Sequence, residues 1–352
     1  MNKTIPPPKK LNRITRQSNI ELFRIIAMFL VLVVHADYFS LQAPLTTEMH
    51  ANPLSATTRI FWESLSIGCV DMFVLITGWF GIHPKKKSFC NFVFQCLFFL
   101  IGIYILCVAT GLTTLSLKGI AGCFVMLEWN WFIKSYIGLY ILSPILNSYI
   151  EHATKQELGR TILFFYIFQT LYSWISNGAP FFMSGYSTMS FIGLYLLAQY
   201  AHRYPNCLTS FSPSVDLSIF AGLVAGQTLL GAIALYWDFN GIQARLFSYV
   251  SPLVILSALY LLLAFSKLKF SSRIINWVAA SSFAVFLLHT NPNLCRPYFI
   301  PFVQHIYNTT DSIECLMVIF VFLAFVFFLA ILIDQVRILL WNFIWNKWNN
   351  KA

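Results

Sequence analysis

Long apolar runs separated by short polar joints recur from residue 20 almost to the C-terminal end. A helix crosses a bilayer with about 20 apolar residues. On that criterion the runs predict ten spans, at roughly 20–39, 60–82, 89–112, 129–150, 160–177, 182–201, 217–237, 247–266, 274–290 and 314–341. The expected fold is all-α and polytopic. Gly119–Leu127 is apolar but too short to cross, so it is re-entrant or lies along the interface. Residues 1–19, with Pro6-Pro7-Pro8 and five basic residues, form a polar N-terminal tail. The run starting at Ile20 is too long for a signal-peptide core and has no small-residue cleavage site. One membrane domain is therefore expected over 20–341. A short interfacial tail over 342–352 follows, where Trp345 and Trp348 continue an aromatic belt begun by Trp341. No internal repeat is visible.

Basic residues test this count, because Lys and Arg accumulate on the cytoplasmic side. With the N-terminus inside, seventeen of the 23 fall in inner segments and four (Arg59, Lys118, Arg245, Arg296) in outer ones. Arg24 and Lys134 fall within spans. The asymmetry predicts an even number of spans, both termini in the cytoplasm, and a multi-pass protein of the cytoplasmic membrane.

Composition narrows the class further. Of 352 residues, 58% are hydrophobic and only 10% charged, and the mean hydropathy is +0.70. A soluble domain carries about a quarter charged residues, so this chain cannot clothe a water-facing surface. Disordered, collagen-like and small disulfide-rich proteins are excluded as well. The net charge of +10 is spread over the joints as topology signals, not gathered into a nucleic-acid patch. The eight cysteines have no CxxC spacing and suit small apolar positions in helices. Cys295 and Cys315 flank one outer loop, where pairing is open.

An ionisable residue inside hydrocarbon costs a few kcal/mol and needs a reason. The first span holds Glu21, Arg24 and His35. Arg24 and His35, eleven residues apart, share a helix face about 16 Å apart along the axis. Glu21 lies one turn below Arg24 and pairs with it. A purely structural reading makes Glu21–Arg24 an interfacial pair and His35 a capped helix end beside Asp37. The second span carries Asp71, followed by Thr77, Gly78 and Gly81, which permit close helix approach. Lys85-Lys86-Lys87 come just inside, as a topology signal or a landing site for a phosphorylated ligand. The fourth span opens on its outer side with Glu128, Trp131, Lys134 and Tyr136, an interfacial belt or a face for sugar rings. The ninth ends outward at His289. Histidines and a lysine outward, an acid midway, and an arginine with three lysines inward make a polarity gradient. It suits moving an anionic or acylated group toward an outer chemical site.

Four stretches resemble the bacterial integral-membrane O-acyltransferases (acyltransferase family three) in that family's order. They are Asn19-Ile-Glu-Leu-Phe-Arg24 through His35, an Arg-x10-His signature; Val70-Asp71 through Gly78; Trp131 through Tyr136, Tyr140 and Pro144; and Ser282 through His289. The resemblance is greatest to stand-alone members associated with surface polysaccharide. The family usually has Ser-Gly at Thr77-Gly78, Tyr at Phe286 and often arginines at Lys85–Lys87.

The resemblance implies transfer of acetyl from cytoplasmic acetyl-CoA, a co-substrate, to a hydroxyl of a surface or exported polysaccharide or its lipid-linked precursor. No metal is implied. His35 is then a general base or a transient acyl carrier. Arg24 and Lys85, Lys86 and Lys87 hold the CoA phosphates or pantetheine. Asp71 or Glu21 orient polar partners, and Trp131, Tyr136, Lys134 and His289 serve the acceptor side. Partners are the carbohydrate acceptor and the bilayer, with a homo-oligomer or polysaccharide-assembly proteins open. The competing reading is a secondary transporter or flippase for a lipid-linked sugar or anionic solute, using the same buried charges.

Overall fold

The computed structural model describes residues 16–124, 130–176 and 179–349. Most of the N-terminal tail, the end of Gly119–Leu127, Glu128 and the last three residues lie outside the described residues. Helices occupy each of the ten predicted intervals, and no strand occurs among the described residues. They are α1 Ser18–Val34, α2 Pro53–Ser66 running on into α3 Cys69–Phe80, α4 Lys86–Ala109, α5 Trp131–His152 and α6 Lys155–Gln169. After these come α7 Thr188–Arg203, α8 Pro213–Tyr236, α9 Pro252–Ser266, α10 Arg273–His289 and α11 Ser312–Asn349.

Among the described residues, five helical segments are long and apolar enough to cross a membrane: Ser18–Phe39, Pro53–Phe80, Lys86–Ala109, Pro213–Tyr236 and Ser312–Trp348. A sixth forms if α10 and the segment Pro292–Thr309, bent by 60° at their junction, count as one. Gly119–Leu127 begins within a short helix, Leu117–Phe124. The last helix runs past residue 341 to Asn349, and it exposes Phe320, Phe325, Phe328, Leu332 and Phe343. Such a face is stable against lipid tails but not in water. Cys295 and Cys315, whose pairing the sequence leaves open, are both free thiols.

Sequence explains the main boundaries. The second segment starts at residue 53, seven residues before the predicted span, because Asn52 caps it through Ser55 N–H and Pro53 occupies the first turn. Gly78 lets α3 and α7 meet, since an added Cβ would lie 2.8 Å from Ala198 Cβ and the Tyr195 carbonyl oxygen. Gly81 ends α3 with φ +73°, a conformation that favours glycine.

α1 sits at the centre, packed against α2, α3, α9, α10 and α11. Its first residues fix its height. Ser18 Oγ accepts from the backbone N–H of Ser272 at 2.9 Å, and the Asn19 amide donates to the Phe265 and Ser266 carbonyls at 3.0 and 3.2 Å. Arg24 and His35 are thereby held at set levels in the bundle.

Candidate functional site

Two cavities lie along α1. The larger, about 970 Å³, is lined from α1 by Met28, Val31, Val34 and His35, and from facing elements by Glu63, Trp131, Tyr186 and Tyr249. The smaller, about 330 Å³, holds Arg16 and Arg24 together with Thr77, Ser88, Tyr136 and Tyr140. Phe73, Phe132 and Phe283 line both.

His35 begins a π-helical turn, His35–Phe39, that widens the end of α1; such turns recur at functional sites. Its Nδ1 is 2.7 Å from the Val31 carbonyl oxygen. The ring of His289, at the end of α10, has Nδ1 2.6 Å from the Val285 carbonyl oxygen and Nε2 3.1 Å from His35 Nδ1. A carbonyl only accepts, so each Nδ1 carries hydrogen. With both rings neutral, His289 Nε2 is a lone pair that accepts from His35 Nδ1–H. His35 Nε2 keeps its own lone pair, with no hydrogen-bond partner among the described residues. When Nε2 takes a proton, Nδ1–H still lies between these two acceptors. Asp37 does not cap this histidine; its carboxylate faces Arg59 Nε at 3.7 Å.

Trp131, Tyr186 and Tyr249 form one aromatic wall, with centroids 4.4 Å (Trp131–Tyr186), 5.0 Å (Tyr186–Tyr249) and 6.0 Å (Trp131–Tyr249) apart. Arg59 fastens both ends of the stretch 43–47, which lines this cavity. It donates to Glu48 at 3.0 Å, to the Leu41 carbonyl at 3.2 Å and to the Gln42 carbonyl. In the smaller cavity Arg24 pairs with Glu21 at 2.8 Å. Arg16 donates to the Asn276 carbonyl at 2.8 Å. The described lining has no carboxylate, and the uncapped first turn of α4 borders it through Ser88 and Phe89.

The other sequence candidates fall in different places. Asp71 is buried but lines neither cavity, and its Oδ2 has no hydrogen-bond partner among the described residues. Tyr136 lines the Arg24 cavity, away from Trp131. Five residues turn a helix by about 140° and raise it about 7.5 Å, enough to separate them. Lys134 is exposed and borders neither cavity. His289 lies behind His35, buried and away from the lining. Lys85, Lys86 and Lys87 are exposed and line neither cavity. Lys86 and Lys87 stand 5.6 Å above the rings of Trp348 and Trp345, a cation–π contact that draws them to the end of α11. Tyr186 and Tyr249 are lining residues that sequence reasoning missed, and so are Glu63 and Arg16. Glu63, 2% exposed, sits in the second apolar run, where the cost of an ionisable group could have flagged it. Arg16 was counted only as a topology charge.

Comparison with known families agrees with these features. The profile described as an acyltransferase domain matches residues 17–334, and the chain belongs to that family, acyltransferase family three. It is a membrane acyltransferase. No curated protein and no solved structure matches the chain.

Proposed function

We propose that the protein acetylates a hydroxyl of a surface or exported polysaccharide, or of its lipid-linked precursor, using cytoplasmic acetyl-CoA. In this reading the chain makes ten passes of the cytoplasmic membrane with both termini inside. The Arg24 cavity then opens toward the cytoplasm and the His35 cavity toward the opposite side. The observation that carries it is the imidazole pair, which engages His35 through Nδ1 and leaves Nε2 unbonded on a side chain that lines the larger cavity.

The acceptor sugar lies against Trp131, Tyr186 and Tyr249, whose faces suit its apolar C–H surface, while Glu63 accepts hydrogen bonds from its hydroxyls. Arg16, Arg24 and the first turn of α4 hold the CoA phosphates, since guanidinium binds phosphate bidentately. Lys86 and Lys87 serve the lipid interface. The acceptor oxygen attacks the thioester carbonyl carbon as His35 Nε2 takes its proton. The tetrahedral intermediate then collapses, the C–S bond breaks, and the departing sulfur takes that proton from Nε2. The products are the O-acetyl ester and free CoA thiol. Val31 and His289 steady the transient imidazolium through Nδ1–H, as positioning groups.

Protein purified in detergent tests this. It should release CoA thiol from acetyl-CoA when a soluble acceptor glycan is added, and His35→Ala should lower the rate by about 10²–10⁴-fold while eluting as the wild type does. Unchanged turnover in that variant overturns the assignment. A transporter, which needs a sealed membrane, would give no turnover in detergent. Stoichiometric CoA release without acceptor would make His35 an acyl carrier instead of a base.

A further inference from the structure

The two cavities share a wall of three rings from three helices: Phe73 on α3, Phe132 on α5 and Phe283 on α10. Phe73 and Phe132 have centroids 6.5 Å apart at 73°. Phe132 meets Phe286 at 5.6 Å, and Phe286 stacks on Phe283 at 5.9 Å. The chain of rings therefore runs unbroken from α3 to α10. On the α1 side, Met28 stands one turn beyond Arg24 and lines the His35 cavity. No charged group belongs to this partition. A donor whose phosphates sit at Arg24 must cross it to bring a thioester to His35.

We infer that this aromatic partition is the donor passage and selects the acyl group by its cross-section, admitting unbranched acyl chains and refusing branched or aryl ones. The inference rests on the transfer reading above and adds the acyl specificity of that site. Phenylalanine rings turn readily about χ2, so an extended chain slips between them at ordinary carbon–carbon contact, about 3.5–4.0 Å. A branched carbon requires the ring to leave its packed position. The CoA arm itself fits this geometry. Its portion next to sulfur is a slender, unbranched amide chain, whereas its gem-dimethyl carbon lies farther back. The slender portion occupies the partition and the gem-dimethyl carbon stops on the Arg24 side, which sets how far the thioester enters.

The test is competition between acyl-CoA donors with purified protein and one acceptor. Wild type should prefer butyryl-CoA over isobutyryl-CoA by about tenfold or more, the scale on which an apolar site rejects a misplaced methyl group. Phe283→Ala and Phe73→Ala should each raise the isobutyryl-to-butyryl ratio of kcat/KM by about tenfold. Equal use of both donors by wild type overturns the inference, and needs no variant to fold. A wild-type preference that persists unchanged in active variants also overturns it. Wild type that turns over no acyl-CoA sinks the transfer reading itself, a result distinct from turnover without selection.

Discussion

The His35 cavity and the Arg24 cavity lie along the same face of α1 but are walled by different kinds of structure. The Arg24 cavity takes its lining from helices, with Arg16 just ahead of α1. The His35 cavity is nearly three times larger and takes much of its wall from connecting segments, among them residues 43–47, Ser184 and Asp238. Ser184 and Asp238 have φ of 54° and 60°, and Gln42 beside the stretch 43–47 has 64°. Left-handed backbone at non-glycine residues is costly and persists where surrounding structure holds it. One cavity is small, walled by helices and holds two arginines; the other is roomy, aromatic and framed by loops. Loops tolerate change that helices do not, so the His35 cavity is the more easily reshaped of the two.

Substitutions in each cavity should therefore separate donor from acceptor effects. After His35→Ala, the largest effect is expected at Arg24. Arg24→Gln removes a charge-assisted contact worth about 1.5–3 kcal/mol, so KM for acetyl-CoA should rise roughly ten- to a hundredfold with KM for the acceptor unchanged. A matching rise in acceptor KM would erase the division between the cavities. His289→Ala comes next. Losing one neutral hydrogen bond of about 1 kcal/mol should lower kcat roughly fivefold and leave both KM values in place. Rescue by His289→Gln, whose carbonyl also accepts, separates positioning from a packing defect. The smallest effect belongs to Lys86→Ala and Lys87→Ala, which should alter donor KM by less than about twofold, the scale of a surface substitution, since neither lysine lines the Arg24 cavity. A large KM increase there would return phosphate binding to the lysines.

Arg24, Glu21 and His35 were legible in sequence because an ionisable residue in an apolar helix is conspicuous and helical period fixes its face. The Glu21–Arg24 ion pair follows from the same spacing. Other features were hidden because they depend on partners distant in sequence. Nothing near Lys86 announces that Trp348 lies beneath it. His289 looks like any helix end until α10 crosses α1 and brings it to His35. The aromatic partition drew no notice because phenylalanines are abundant, 35 in all, and only tertiary packing distinguishes the three between the cavities.

Arg24, Met28, Val31 and His35 fall on one stripe of α1, which makes that helix a ruler as well as a wall. Replacing a residue between its two marks changes the wall, whereas adding or deleting one swings the imidazole by about 100° and points it at a neighbouring helix. Evolution can repaint this stretch freely, but it cannot change its length.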